Sequence, residues 1–227
     1  MKVRLYRVAA LVVLVAVLAA LPLWTAEAQT NLLVNPGFEQ GLEGWSWYQF
    51  NPYVVTNPVH SGNYAVAMGN TKSTYGYQSV YQHMPYTVTI WSAGAWFYIP
   101  SGCTYPEGAF AGLALVRREP YVVDVVDIAF YYCGVSEYYG EVYVYGKKVA
   151  SFTFPTDRWF KVVDDSYLSD YYTLNVWVDG KLVYSGTSQN GFAFHEYDLV
   201  YVGNTVPEKW FFVDDTWVYD LSEGPIR

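Results

Sequence analysis

Charge is scarce in this 227-residue chain: only 15% of residues are charged, and the 13 Lys and Arg are outnumbered by 21 Asp and Glu, for a formal charge of −8. Nucleic-acid binding needs clustered cations against the phosphates, so nucleic acid is not expected as a partner. Cysteine and histidine are nearly absent too. The two cysteines and the scattered His60, His83 and His195 offer no zinc-ligand spacing. The G-x-S-x-G elbow, the P-loop and the dinucleotide fingerprint are all missing, as is any N-x-[ST] triplet, so neither a nucleotide cofactor nor sequon glycosylation is expected. No capped segment with a 3.6-residue period stands out beyond the first 28 residues, and no repeat of 20 to 50 residues does.

Long apolar runs are confined to the start. Lys2, Arg4 and Arg7 precede an uninterrupted apolar stretch, Val8 to Leu21, followed by Pro22 and the small-residue pattern Ala26-Glu27-Ala28. This reads as a secretory signal peptide over residues 1–28, with a membrane anchor as the alternative. Cleavage removes three basic residues and one acidic one, leaving a single more acidic domain over residues 29–227, secreted or at the cell surface, with no membrane span. Export permits a disulfide between Cys103 and Cys133, worth about 3 kcal/mol in the chain-entropy model; two buried thiols are the alternative.

What the chain has in abundance is aromatic: 24 Tyr, 12 Phe and 9 Trp. Tyr86–Trp91, Glu141–Tyr145, Leu174–Val178 and Trp210–Val213 mix aromatic and β-branched residues with a period near two, the pattern of half-buried antiparallel strands. Turn signals separate them, of which Asp179-Gly180 is the clearest hairpin. Many short strands in one chain predict an all-β fold, a two-sheet antiparallel β-sandwich of the jelly-roll type.

Four segments carry a family resemblance. Asn31-Leu-Leu-Val-Asn-Pro-Gly-Phe-Glu39, His60-Ser-Gly-Asn-Tyr-Ala-Val66, the pair Tyr77–Gln82 and Tyr86–Trp91, and Phe212-Val-Asp-Asp-Thr-Trp-Val218 arrive in the order seen in jelly-roll carbohydrate-binding modules. The chain thereby resembles families four, nine and twenty-two of those modules. From Trp159 to Val183, including the V-D-G-K hairpin, it resembles laminin-G and concanavalin-like jelly rolls instead. The resemblance implies a non-catalytic protein that binds a polysaccharide or other glycan. It also implies structural calcium, held by Glu39 with Asp214 or Asp215, since that ion takes six to eight oxygen ligands.

Sugar recognition needs flat rings against pyranose C–H faces and amides or carboxylates for the hydroxyls. In the strand Tyr86–Trp91, Trp91 shares the more polar side with Thr87 and Thr89 and is the first candidate platform. Tyr77 and Tyr81 share a face with Ser79 and His83, Tyr143 shares one with Glu141, and Gln78, Gln82 and Asn175 supply amides. Trp45, Trp159 and Trp177 are assigned to the core.

Two other functions compete. Tyr- and Val-rich strands suit a structural subunit of an extracellular coat or filament that self-assembles through sheet edges. A glycoside hydrolase needs two carboxyls about 5–5.5 Å or 6.5–9.5 Å apart. Glu137 and Glu141 on one strand would stand about 13 Å apart, and Asp124 and Asp127, three positions apart, would point to opposite faces. The E-x-D-x-x-E strand motif of laminarinase-like enzymes is absent.

Overall fold

The computed structural model describes residues 29–49, 52–69, 76–101, 110–118, 120–132, 138–203 and 211–222. The signal-peptide segment 1–28 and both Cys103 and Cys133 lie outside the described residues, as does Glu137.

The described chain forms fourteen strands and no helix: β1 (Ser46–Tyr48), β2 (Tyr53–Val55), β3 (Ala65–Met68), β4 (Gly76–Val88), β5 (Trp91–Tyr98), β6 (Phe110–Arg117) and β7 (Val123–Tyr132) come first. The second half adds β8 (Tyr138–Val144), β9 (Lys147–Thr153), β10 (Trp159–Leu168), β11 (Tyr172–Val178), β12 (Lys181–Ser188), β13 (Phe194–Gly203) and β14 (Phe211–Asp220). They build two seven-stranded antiparallel sheets, ordered β1-β4-β13-β6-β7-β8-β9 and β12-β11-β10-β5-β14-β3-β2. This is the expected all-β two-sheet sandwich of jelly-roll type. The Asp179-Gly180 turn joins β11 to β12 with positive φ at both residues (51° and 78°), as a two-residue hairpin following the strand twist requires. Tyr145-Gly146, at 50° and 72°, does the same between β8 and β9.

Aromatic side chains fill the space between the sheets. Phe97 of the second sheet meets Phe130 of the first at 5.0 Å between ring centroids, and Trp91 meets Phe194 edge-on, also at 5.0 Å. One polar tie crosses the core: the Tyr197 hydroxyl donates to the Gly94 carbonyl at 2.8 Å. Gly94 is obligatory, because a Cβ there would lie 2.1 Å from the Val162 carbonyl and 2.4 Å from the Trp217 ring. Trp45 is buried, as expected. Trp159 and Trp177, assigned to the core, are instead half-buried on the outer face of the second sheet, because their neighbours Phe160 and Val176 take the inward positions.

The edges are blunt. β1 and β2 are three residues long, β9 opens with Lys147 and Lys148, and β12 opens with Lys181, features that discourage strand addition.

Candidate functional site

On the first sheet, alternation sends Val80, Leu113, Ile128 and Leu199 inward. The alternate residues form the outer face, where a trough follows the strands. Its floor is small: Gly112 and Ala114 on β6 and Ala129 on β7. Gly112 has no room for a side chain, since a Cβ would meet the Ile128 carbonyl at 2.5 Å. The cross-strand registers give one complete row, Tyr81–Asp198–Ala114–Asp127–Tyr143–Lys148, so two carboxylates flank the alanine two strands apart. A cavity of ≈ 410 Å³ lies toward the β4 wall, lined by Tyr48, Tyr77, Tyr81, Arg118, Asp124, Glu196 and Asp198 among others.

Both walls are tied together by hydrogen bonds. On the β4 side the Tyr77 hydroxyl donates to Asp198 Oδ2 at 3.1 Å. Glu196, fully buried, accepts a bidentate fork from Arg118, whose Nε lies 2.6 Å from Oε2, and His83 Nδ1 adds a third contact at 2.9 Å. The Arg118 guanidinium also lies 5.9 Å from the centre of the Tyr81 ring. On the β8 side, Tyr143 donates to Glu141, Lys148 bonds the other Glu141 oxygen at 2.6 Å, and the Tyr131 and Tyr143 hydroxyls stand 3.2 Å apart. Tyr131 stacks on Tyr139 at 5.2 Å.

Three carboxylates in the trough hold protons unusually well. Burial, with the Glu196 charge behind it, pushes Asp198 up to about 8. Burial and then the Asp124 charge push Asp127 up to about 7, and Asp124 itself is raised by burial and by Glu196. Oδ1 of Asp198 and Oδ1 of Asp127 are shielded and have no hydrogen-bond partner.

The expected site residues divide between this face and the interior. Tyr77, Tyr81 and Tyr143 do face the trough. Gln78 does not: it is 1% exposed and points into the sandwich. Gln82, also inward, bonds both backbone groups of Val34, at 2.9 and 2.7 Å. Trp91 must be corrected as well. Tyr86–Trp91 is not one strand, because the chain leaves the first sheet at Val88 and enters the second at Trp91, and this corner resets the alternation. Trp91 is therefore fully buried, its indole N–H donating to Asp164 at 3.0 Å.

Asp124 and Asp127 need the opposite correction. A β-bulge opposite Leu115/Val116 inserts Val125, so Val125 and Val126 are both buried and the two aspartates share the outer face. Glu196 and Asp198 were missed altogether. Their signal was Glu196-Tyr-Asp198, two acids at strand spacing in an otherwise apolar run, which places both on one face.

Glu39, Asp214 and Asp215 converge on the loop from His60 to Tyr64, stapling the chain ends together. Glu39 accepts from the N–H groups of Asn63 and Tyr64 at 2.8 and 3.0 Å and from Asn63 Nδ2 at 3.1 Å, contacts that hold its carboxyl below the usual range. Asp214 accepts from the N–H groups of His60, Ser61 and Asp215 at 2.9, 3.1 and 2.7 Å. Asp215 accepts from Ser61 Oγ at 2.9 Å and pairs with His60 Nδ1 at 2.6 Å. Every oxygen of the three carboxylates thus has a nitrogen or hydroxyl partner. Calcium takes carboxylate, carbonyl and water oxygens; a loop that presents N–H groups to these carboxylates does not fit it. Among the described residues no cluster of three His, Cys, Asp or Glu is suited to a metal ion. Beside the staple, His60 stacks on Trp96 at 3.8 Å, Lys161 lies 4.7 Å from the Trp217 ring centre, and a cavity of ≈ 420 Å³ opens on the second sheet.

Comparison with solved structures finds folds similar to this two-sheet sandwich in carbohydrate recognition domains and in lyases. The endo-β-1,4-glucuronan lyase of Trichoderma reesei superposes with a TM-score of 0.58 at 12% identity, over 86% of this chain and 95% of that one. The metal-free Emp46p carbohydrate recognition domain gives 0.56 at 12%, over 86% and 96%. The VIP36 exoplasmic/lumenal domain bound to Ca2+ and Man3GlcNAc gives 0.57 at 11%, over 86% and 91%. Such identities establish the fold alone. No protein-family model matches the chain, and no curated protein matches its sequence.

Proposed function

We propose that this is a secreted, non-catalytic carbohydrate-binding protein of the jelly-roll type, and that the glycan lies in the trough on the outer face of the first sheet. The observation that carries the reading is the cross-strand row in which Ala114 is flanked by Asp198 and Asp127, and these by Tyr81 and Tyr143. The open part of the trough is the cavity of ≈ 410 Å³ beside β4, next to Ala114, and it gives a sugar ring room against these walls. Tyrosines on both walls offer flat faces for C–H surfaces, and the carboxyls and hydroxyls between them meet sugar hydroxyls. Lectin-type recognition domains and polysaccharide lyases among the structures of similar fold support a glycan as partner. A coat or filament subunit draws less support, because the outermost strands are short or begin with lysine.

Calorimetric titration of the chain from residue 29 onward with a panel of soluble neutral and charged oligosaccharides tests the reading. Saturable binding of one glycan class, abolished by Ala114→Phe, is the expected result. The Ala114 side chain points away from the space between the sheets but packs with Val116 and Val200, so circular dichroism and urea unfolding establish that the variant is folded before its affinity is read. Binding that survives Ala114→Phe, or none to any glycan, overturns the assignment.

A further inference from the structure

The charges in the trough are unevenly answered. Glu196 is engaged by Arg118 and His83, and Glu141 by Lys148. Those cations are thereby occupied. Asp124, Asp127 and Asp198 have no ion-pair partner within 4.0 Å among the described residues. Asp198 is 2% exposed, faces the trough, and leaves Oδ1 without any hydrogen-bond partner. Buried without a cation, Asp198 keeps its proton, and a positive group set against it would draw it into the ionised form.

The groups around these carboxyls add no further cation. Tyr77, Ser79 and Tyr81 face Asp198 from β4, Glu196 shares its strand, and Ala114 and Val116 separate it from Asp127 and Asp124. The guanidinium of Arg118 stands near but is forked onto Glu196.

We propose that the trough selects glycans bearing free amino groups, with the ammonium set against Asp198, Asp127 and Asp124; this rests on the glycan-binding reading above. Among the described residues no group of three His, Cys, Asp or Glu is set to hold one metal ion, whereas a sugar ring carrying an ammonium can lie between Asp198 and Asp127. A uronate finds no free cation at the trough walls, where Arg118 is paired with Glu196 and Lys148 with Glu141, and the carboxyls repel it once ionised.

The experiment compares three probes of equal length on the same protein: oligoglucosamine, its fully N-acetylated counterpart and oligoglucuronate, each by calorimetry at pH 6.5 in low and high salt. Oligoglucosamine is expected to bind more tightly than the N-acetylated probe, with release of a proton where the ammonium draws Asp198 or Asp127 into its ionised form. Raised salt and the double variant Asp124→Asn/Asp127→Asn are expected to shrink that preference. Asparagine keeps the shape and tolerates burial, and the comparison between probes needs no variant at all. Equal or tighter binding of the N-acetylated probe overturns the inference and leaves the trough as a neutral-glycan site. Tighter binding of oligoglucuronate overturns it in favour of an anionic ligand. Absence of binding by all three, and by the wider panel, overturns the glycan-binding reading itself.

Discussion

Tyr77 and Asp198 form a donor–acceptor pair across β4 and β13: an exposed phenol reaches back 3.1 Å to a carboxyl that solvent scarcely touches. The pair fixes the tyrosine ring at the trough wall and supplies Asp198 with a neutral donor. Tyr77→Phe removes the hydroxyl and leaves the whole Asp198 carboxyl without that donor. We expect a loss of about 1–2 kcal/mol in stability and a fall in glycan affinity, measured by urea unfolding and calorimetry. Affinity unchanged at full occupancy would remove Tyr77 from the site.

Proton linkage gives the second prediction. Asp198 at about 8, Asp127 at about 7 and Asp214 at about 6 all hold protons in the fold that the unfolded chain releases near 4. Burial is the first cause in each. The fold therefore binds more protons than the unfolded state between about pH 4 and 8, and its stability falls as pH rises through that window. A decline of order 1 kcal/mol per pH unit between pH 5 and 7 is expected, read as a falling melting temperature. Asp127→Asn and Asp198→Asn should each flatten the slope. A melting temperature that rises from pH 5 to 8 would contradict it.

Trp91 separates core from site. Replacing it with Phe deletes the indole N–H that bonds Asp164, a fully buried carboxyl whose other oxygen has no partner and which burial raises well above its usual range. Stability should drop by about 2–3 kcal/mol, whereas glycan affinity per folded molecule should stay unchanged. Lost affinity in a folded Trp91→Phe protein would place the ring in the site after all.

The terminal staple can be tested with a chelator. Since Glu39, Asp214 and Asp215 are met by N–H and O–H donors, excess calcium and excess chelator should give the same melting temperature. Gly62 has φ +61°, and a Cβ there would lie 2.3 Å from Glu39 Oε1. Gly62→Ala should therefore loosen the staple and cost about 1–2 kcal/mol from backbone strain alone. A calcium-dependent rise in melting temperature would show that the loop can turn its carbonyls to a metal.

The sequence by itself determined the layer architecture, the Asp179-Gly180 hairpin and the sharing of one face by Tyr77 and Tyr81, because alternation within a strand and turn chemistry are local. That Glu39 lies near the Asp214-Asp215 pair was implied by the family resemblance. Tertiary structure decided where alternation stops. The corner between Val88 and Trp91 carried the tryptophan into the core, and the bulge at Val125 carried Asp124 round to join Asp127, since a one-residue change of phase moves every later side chain to the other face. It decided too that Asp198 lies beside Tyr77, more than a hundred positions away, and across Ala114 from Asp127. Registers between distant strands come from the packing of whole faces, and no local stretch of sequence contains them.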